Sequence, residues 1–132
     1  MFITLETDYA VRMVYCLAKE NRRLGANEIS EKTGVTLRFA LKILRKLVAG
    51  GIVNSFKGVT GGYELTKAPG EISLRDVVEI VDGPIILSRC LGDDYVCTGN
   101  EDKGNCFFSH KFNEISTLVS DRLGEITFAD AI

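Results

Sequence analysis

Apolar positions repeat at helical spacing through most of this chain, with one interruption that reads as a hairpin. The clearest stretch runs from Thr36 to Tyr63. Ala40, Ile43, Leu44, Leu47 and Val48 recur at three- and four-residue steps and form a single apolar stripe, while Arg38, Lys42, Arg45 and Ala49 recur on the opposite side. Thr36 is placed to cap this helix, since its hydroxyl can accept a first-turn N–H, and Gly50 and Gly51 are placed to end it. Ile52, Val53 and Phe56 then suit a strand. Lys57 to Gly62 is a glycine-rich turn, and Tyr63 to Thr66 returns as a second strand.

Upstream, Ala10, Met13, Val14, Leu17 and Ala18 predict a helix over 7–19. Asn21 to Gly25 reads as a turn, and a short helix over 28–32 stops at Gly34. A short helix, a tight turn and a longer amphipathic helix make a helix-turn-helix, and the following hairpin makes it winged. Downstream, Ser73 caps a helix over 74–81 that Gly83 and Pro84 terminate. Residues 84–105 have little periodicity and read as a loop, with Ile85, Ile86 and Leu87 packed on the body.

A long helix returns over 107–123, with Phe108, Phe112, Ile115 and Val119 in a stripe flanked by Leu118 and Leu123. A lone terminal helix must bury such a stripe somewhere. It can fold back on its own domain or cross its counterpart in a symmetric dimer, and a two-fold reader of DNA favours the dimer. Thr127 to Ile132 reads as a final turn that docks on something apolar. The fold class is therefore mainly α with a small β-hairpin. The expected division is a winged helix-turn-helix DNA-binding domain over 1–83, a cysteine-bearing loop over 84–106, and a dimerisation helix with its C-terminal turn over 107–132.

The composition, 132 residues with 45% hydrophobic and 26% charged, suits one globular domain with an accessory element. No apolar run reaches membrane-spanning length, and Asp8 and Arg12 interrupt the N-terminal segment where a signal peptide would need an apolar run, so the expected location is cytoplasmic. A formal net charge of -2 argues against indiscriminate binding to nucleic acid. The charges are segregated, however. Arg38, Lys42, Arg45, Lys46, Lys57 and Lys67 lie in one segment whose only acid is Glu64. A basic helix face is commonly just solvated surface, but after a short helix and before a hairpin it fits a recognition helix and wing on duplex DNA. The candidate contacts are Thr36, Arg38, Leu41, Lys42 and Arg45 on the helix, with Lys57, Gly58, Gly61, Gly62 and Tyr63 in the wing. An enzyme is not expected: there is no phosphate-binding glycine motif, no nucleophile–base pair at a known spacing, and a single histidine.

Four cysteines remain. Cys16 falls within an apolar helical pattern and reads as a small core residue. Cys90, Cys97 and Cys106 lie together in the polar loop, and no Cys-x-x-Cys pair is present, which argues against an ordinary zinc ribbon. Three soft sulfur ligands suit an iron–sulfur cluster, with Asp8, His110 or Cys16 as the candidate fourth ligand; redox-active or uncommitted thiols are the other reading.

Several motifs together resemble the Rrf-two (Rrf2) family of bacterial transcription regulators, which has IscR-like and NsrR-like members. They are Thr7-Asp8-Tyr9-Ala10-Val11-Arg12, the helix end from Leu47 to Val53, and the wing from Ser55 to Leu65. Glu71 to Val78, Asp82-Gly83-Pro84, the three cysteines and Ile126-Thr127-Phe128-Ala129-Asp130 complete the set. The resemblance covers nearly the whole chain. It implies a dimeric winged helix-turn-helix protein with a long C-terminal dimerisation helix, and a two-iron or four-iron cluster on Cys90, Cys97 and Cys106 that senses cluster supply, nitric oxide or redox state. The Thr-Asp-Tyr-Ala start looks like the nitric-oxide-sensing branch, which implies Asp8, contributed by the partner subunit, as fourth ligand. IscR-like members place a histidine three residues after the last cysteine; here Ser109 stands there and His110 is displaced by one. Family members often carry Glu-Gln where this chain has Leu41-Lys42, and an arginine where it has Lys57, so a different operator is implied. The function implied is that of a homodimeric repressor whose operator affinity is set by the cluster. The alternatives are a cluster-free regulator that uses thiol oxidation, another metal or a protein partner, and a winged module that docks a protein instead of DNA.

Overall fold

Three of the first four helices begin at a hydroxyl side chain that accepts an orphaned backbone amide of the helix end. The computed structural model describes residues 3–92, 95–99 and 105–132, so part of the expected cysteine-bearing loop lies outside the described residues. α1 (Leu5–Glu20) is capped by Thr4, whose hydroxyl accepts the Thr7 amide at 3.2 Å, and it carries Glu6 and Asp8 in the turn where the helix dipole favours acids. α2 (Ala26–Thr33) ends at Gly34 with φ 75°. α3 (Leu37–Ala49) begins at Thr36, which accepts the Phe39 amide at 3.4 Å as its sequence position predicts.

Ala10, Met13 and Val14 of α1, Ile29 of α2, and Ala40, Ile43, Leu44 and Leu47 of α3 are completely buried and form one core. The predicted stripe on α3 is thus the buried one. β1 (Val53–Phe56) pairs antiparallel with β2 (Gly62–Leu65), with Val53 opposite Leu65 and Phe56 opposite Gly62. The segment Asn21 to Gly25 is more than the predicted turn. Leu24 donates to the Tyr63 carbonyl at 2.9 Å and accepts from the Tyr63 amide at 2.7 Å, which adds a one-residue third strand to the wing. A single apolar residue between polar ones gives periodicity nothing to detect, so this bridge is invisible in the sequence.

α4 (Leu74–Asp82) starts with a full capping box between Ser73 and Asp76. At its other end the Asp82 carboxylate accepts from Thr4 Oγ1 at 2.9 and 3.0 Å and from the buried Thr7 Oγ1 at 2.6 Å. This contact ties the end of α4 to the start of α1 across 75 residues of chain.

α5 (Phe107–Glu125) lies against α4, and part of what it buries there is polar. Its serines face inward: Ser109 and Ser116 are buried, and Ser116 Oγ accepts the Leu87 amide at 2.9 Å while donating to the Phe112 carbonyl at 2.7 Å. Phe108, Phe112, Ile115 and Leu118 are left 67%, 40%, 46% and 68% exposed, while Val119 and Leu123 are half-buried. Near the helix end the Arg75 guanidinium lies over Gly124, where a Cβ would meet it at 2.6 Å and make it shift. The terminal turn, Phe128–Ala131, docks on its own domain. The Phe128 amide donates to the Ile72 carbonyl at 3.1 Å, and its ring joins the core. Ile85 is buried, and Ile86 and Leu87 are half-buried, as their apolar run predicts.

Removing the Thr7 hydroxyl with Thr7→Val is expected to lower stability by about 1–3 kcal/mol, since it strips a donor from a carboxylate. Urea unfolding should show a lower midpoint at unchanged slope; an unchanged midpoint would mean that the Asp82 clamp contributes nothing.

Candidate nucleic-acid interface

With its apolar stripe sealed into the core, α3 has one orientation available, and it turns Arg38, Leu41, Lys42 and Arg45 to the surface. The helix contains no acid, so this face is purely cationic. Thr36, also exposed, stands at its N-terminus. Leu37 and Phe39 are exposed beside the cations, and the Phe39 ring meets Tyr9 of α1 edge-on with centroids 6.1 Å apart. The face therefore offers charge for phosphates together with apolar side chains of the kind that touch thymine methyl groups.

Lys57 and Gly58 are exposed at the wing tip, and Val59 is fully exposed. Gly61, Gly62 and Tyr63 are half-buried, and Tyr63 packs against the core. The glycines have an internal reason for their identity. A Cβ on Gly62 would come within 2.6 Å of the Leu24 carbonyl oxygen, and φ there is 139°; one on Gly61 would collide with the Phe56 carbonyl. Close approach of the wing to its own chain, rather than to an outside ligand, already requires both.

The chain places one acid against the cationic helix that sequence reasoning missed. Glu6, in the first turn of α1, lies 2.9 Å from Lys46 Nζ and 3.7 Å from Lys42 Nζ. The two lysines are one turn apart on α3, so a single carboxylate reaches both. Among the described residues Glu6 pairs with the lysines of α3 and not with Arg38 or Arg45.

The cysteines are placed differently from one another. Cys16, in α1, is half-buried, and burial, reinforced by the Glu20 carboxylate, pushes its thiol above the ordinary range. Cys90 Sγ and Ser88 Oγ are hydrogen-bonded at 3.1 Å, Cys97 Sγ accepts the Gly99 amide at 3.4 Å, and Cys106 sits at the N-cap of α5. Asp8 is engaged by Arg12 at 2.8 Å. His110 is exposed in the first turn of α5, with its amide on the Cys106 carbonyl at 3.1 Å. Among the described residues, no group of three or more His, Cys, Asp or Glu side chains converges on a point that a metal ion could occupy. The three loop cysteines and the candidate fourth ligands are thus present but not gathered within one chain. Among the described residues, no helix is long and apolar enough to cross a membrane.

Glu6→Gln should release both lysines to the surface field. Binding to random-sequence duplex DNA is then expected to tighten and its salt dependence to steepen by up to about one phosphate equivalent. Fluorescence anisotropy over a salt series measures this, and an unchanged slope would show that Glu6 holds back no charge from DNA.

Comparison with known proteins places this arrangement. The Rrf2 family model, described as an iron-dependent transcriptional regulator, matches residues 3–132. An rrf2-like HTH-type transcriptional regulator of Rhodobacter capsulatus is 35% identical over 137 residues, covering 98% of this chain and 91% of that protein. The HTH-type transcriptional regulator IscR of Erwinia tasmaniensis is 29% identical over 134 residues, covering 100% of this chain and 79% of its own length. Among solved structures, the global cysteine regulator CymR of B. subtilis superposes with a TM-score of 0.78 at 21% identity, covering 99% of this chain and 95% of CymR. IscR of T. potens gives 0.76 at 19% identity, covering 99% and 85%. At such identities the superpositions speak for the fold, a winged helix-turn-helix with its two-stranded wing. The match over residues 3–132 carries the assignment: this chain belongs to the Rrf2 family of DNA-binding transcriptional regulators, not to a family of enzymes.

Proposed function

We propose that this chain acts as a homodimeric, sequence-specific repressor whose grip on duplex DNA is set by its cysteine-bearing segment. The observation that carries the DNA reading is the two-sidedness of α3: four apolar side chains at 0% exposure on one face, and Arg38, Lys42 and Arg45 exposed on the other. In this reading Thr36, Arg38, Leu41, Lys42 and Arg45 enter the major groove, and Lys57 with Gly58 at the wing tip reaches the neighbouring backbone or minor groove. Leu41 offers a thymine methyl contact where a carboxylate would have read cytosine. Lys57 gives a point charge, without the planar fork of arginine.

The dimer is supported by α5. Its exposed Phe108, Phe112, Ile115 and Leu118 form an apolar face on a helix whose buried side is held by serines, an arrangement that a second α5 would complete. Two copies related in this way would present two recognition helices to half-sites about 34–36 Å apart.

Cys90, Cys97 and Cys106 fit an iron–sulfur cluster by donor chemistry, as soft thiolates in one segment, with Asp8 of the partner subunit or His110 as the fourth donor. Such a cluster supplies a redox-active centre that reacts with oxidants and nitric oxide. The three thiols would have to converge to hold it, so loading would be coupled to rearrangement of the segment between α4 and α5. The α4 end of that segment is anchored twice, by Asp82 on Thr4 and Thr7 and by the Leu87 amide on Ser116 of α5, so its rearrangement would bear on both α1 and α5. The second reading, in which the thiols act directly by oxidation, is favoured by the same lack of convergence and by the local partners of Cys90 and Cys97.

Selection from a random duplex library should yield a two-fold symmetric operator. Lys57→Ala is expected to weaken binding to it and to reduce the salt slope by about one; an unchanged slope would remove Lys57 from the phosphate contacts. Protein purified anaerobically should contain iron and sulfide, and Cys97→Ala should lose both. A colourless wild type with alkylatable thiols would favour the oxidation reading.

A further inference from the structure

Arg23 lies outside both the recognition helix and the hairpin, in the link between α1 and α2, yet it touches every part of the wing. Its guanidinium stacks on the Phe56 ring of β1, with Cζ 3.5 Å from the centroid. One terminal nitrogen donates to the Thr60 carbonyl in the wing turn at 3.2 Å, and the other lies 3.6 Å from the Glu64 carboxylate of β2. The neighbouring Leu24 is joined to Tyr63 by a reciprocal pair of backbone hydrogen bonds. One side chain thus grips the first strand, the turn and the second strand, from a base fixed to the helix-turn-helix.

A two-stranded ribbon is weak by itself and free to swing on its connections. Here the residues between its strands run from Lys57 to Gly61, of which Lys57 through Thr60 are exposed. The planar guanidinium suits the task, since it can stack on a ring and direct its N–H groups to two acceptors in the same plane. Its charge is also partly committed to Glu64, which makes it ill suited to a phosphate.

We propose that Arg23 is a positioning residue for DNA recognition: it sets the pose of the wing against α3, and Lys57 reaches the duplex only while Arg23 holds the hairpin. This rests on the reading of Lys57 as a DNA contact, and the test separates the two. The full-length protein and its Lys57→Ala, Arg23→Met and doubly substituted forms are titrated with the duplex selected from a random library, at several salt concentrations. Lys57→Ala alone is expected to reduce affinity and to lower the salt slope by about one. Arg23→Met is expected to do nearly the same, and in its background Lys57→Ala should add less than about a twofold loss, because coupled residues do not contribute additively. Full additivity, or unchanged affinity on Arg23→Met, would overturn the proposal.

If Lys57→Ala proves silent in the otherwise native protein, the contact assigned to Lys57 fails, and the pose is read without DNA. Amide hydrogen exchange at Gly61, whose N–H bonds the Gly58 carbonyl at 3.0 Å, should then be faster in Arg23→Met, while the Leu44 amide of the buried helix stays unchanged. Equal exchange at Gly61 in both proteins would show that Arg23 does not hold the wing. Arg23→Lys keeps a cation near Glu64 but loses the flat stack. It should show the same pattern at smaller amplitude, and it serves if the methionine form does not fold.

Discussion

Burial of the α3 stripe is the constraint from which the rest follows. Ala40, Ile43, Leu44 and Leu47 are wholly removed from water against α1 and its neighbours, and full burial of one leucine or isoleucine side chain is worth about 1.5–3 kcal/mol. Rolling the helix would expose that stripe and bury Arg38, Lys42 and Arg45 without partners, a cost several times larger. The cationic face therefore points outward because of the core beneath it. The same packing delivers the chain through Gly50, Gly51 and Ile52 into β1, so the wing begins close to the end of α3.

The electrostatics are local and balanced. A chain of net charge -2 presents a cationic helix because its acids are held elsewhere, and one of them, Glu6, is turned back onto two of the lysines. In the proposed binding mode such an arrangement would lower the sequence-independent attraction of α3 to phosphate and leave more of the affinity to base contacts. Thr4, Thr7 and Asp82 belong to the same system, since they fix the first turn of α1 from which Glu6 reaches. The start of α1 is thereby joined both to the recognition helix and to the junction that precedes the cysteines.

Much of this was legible in the sequence, and what was missed has a common physical character. The helices, their caps and the hairpin were readable because capping and periodicity are local: Thr36, Ser73 and the Ala40–Leu47 stripe announce themselves within a few residues. Glu6, Arg23, Leu24 and Asp82 were not readable, because each acts through one contact with a residue far along the chain, and a single residue has no period. The apolar stripe of α5 is legible in the sequence; its inward-facing Ser109 and Ser116 are not, since Ser116 is held there by the Leu87 amide. For the proposed cluster the sequence offers candidate thiols and their spacing. Their convergence depends on tertiary placement, which spacing does not encode, and the described residues of one chain do not gather them.

The central claim is that the outward face of α3 and the wing tip together meet duplex DNA. Amide shift mapping of the isotope-labelled protein, titrated with a duplex chosen from a random pool, tests it most directly. The account predicts perturbations concentrated at Thr36–Arg45 and Lys57–Tyr63, with the exposed face of α5 unmoved. Shifts confined to another surface, or none on α3 at saturating duplex, would contradict it.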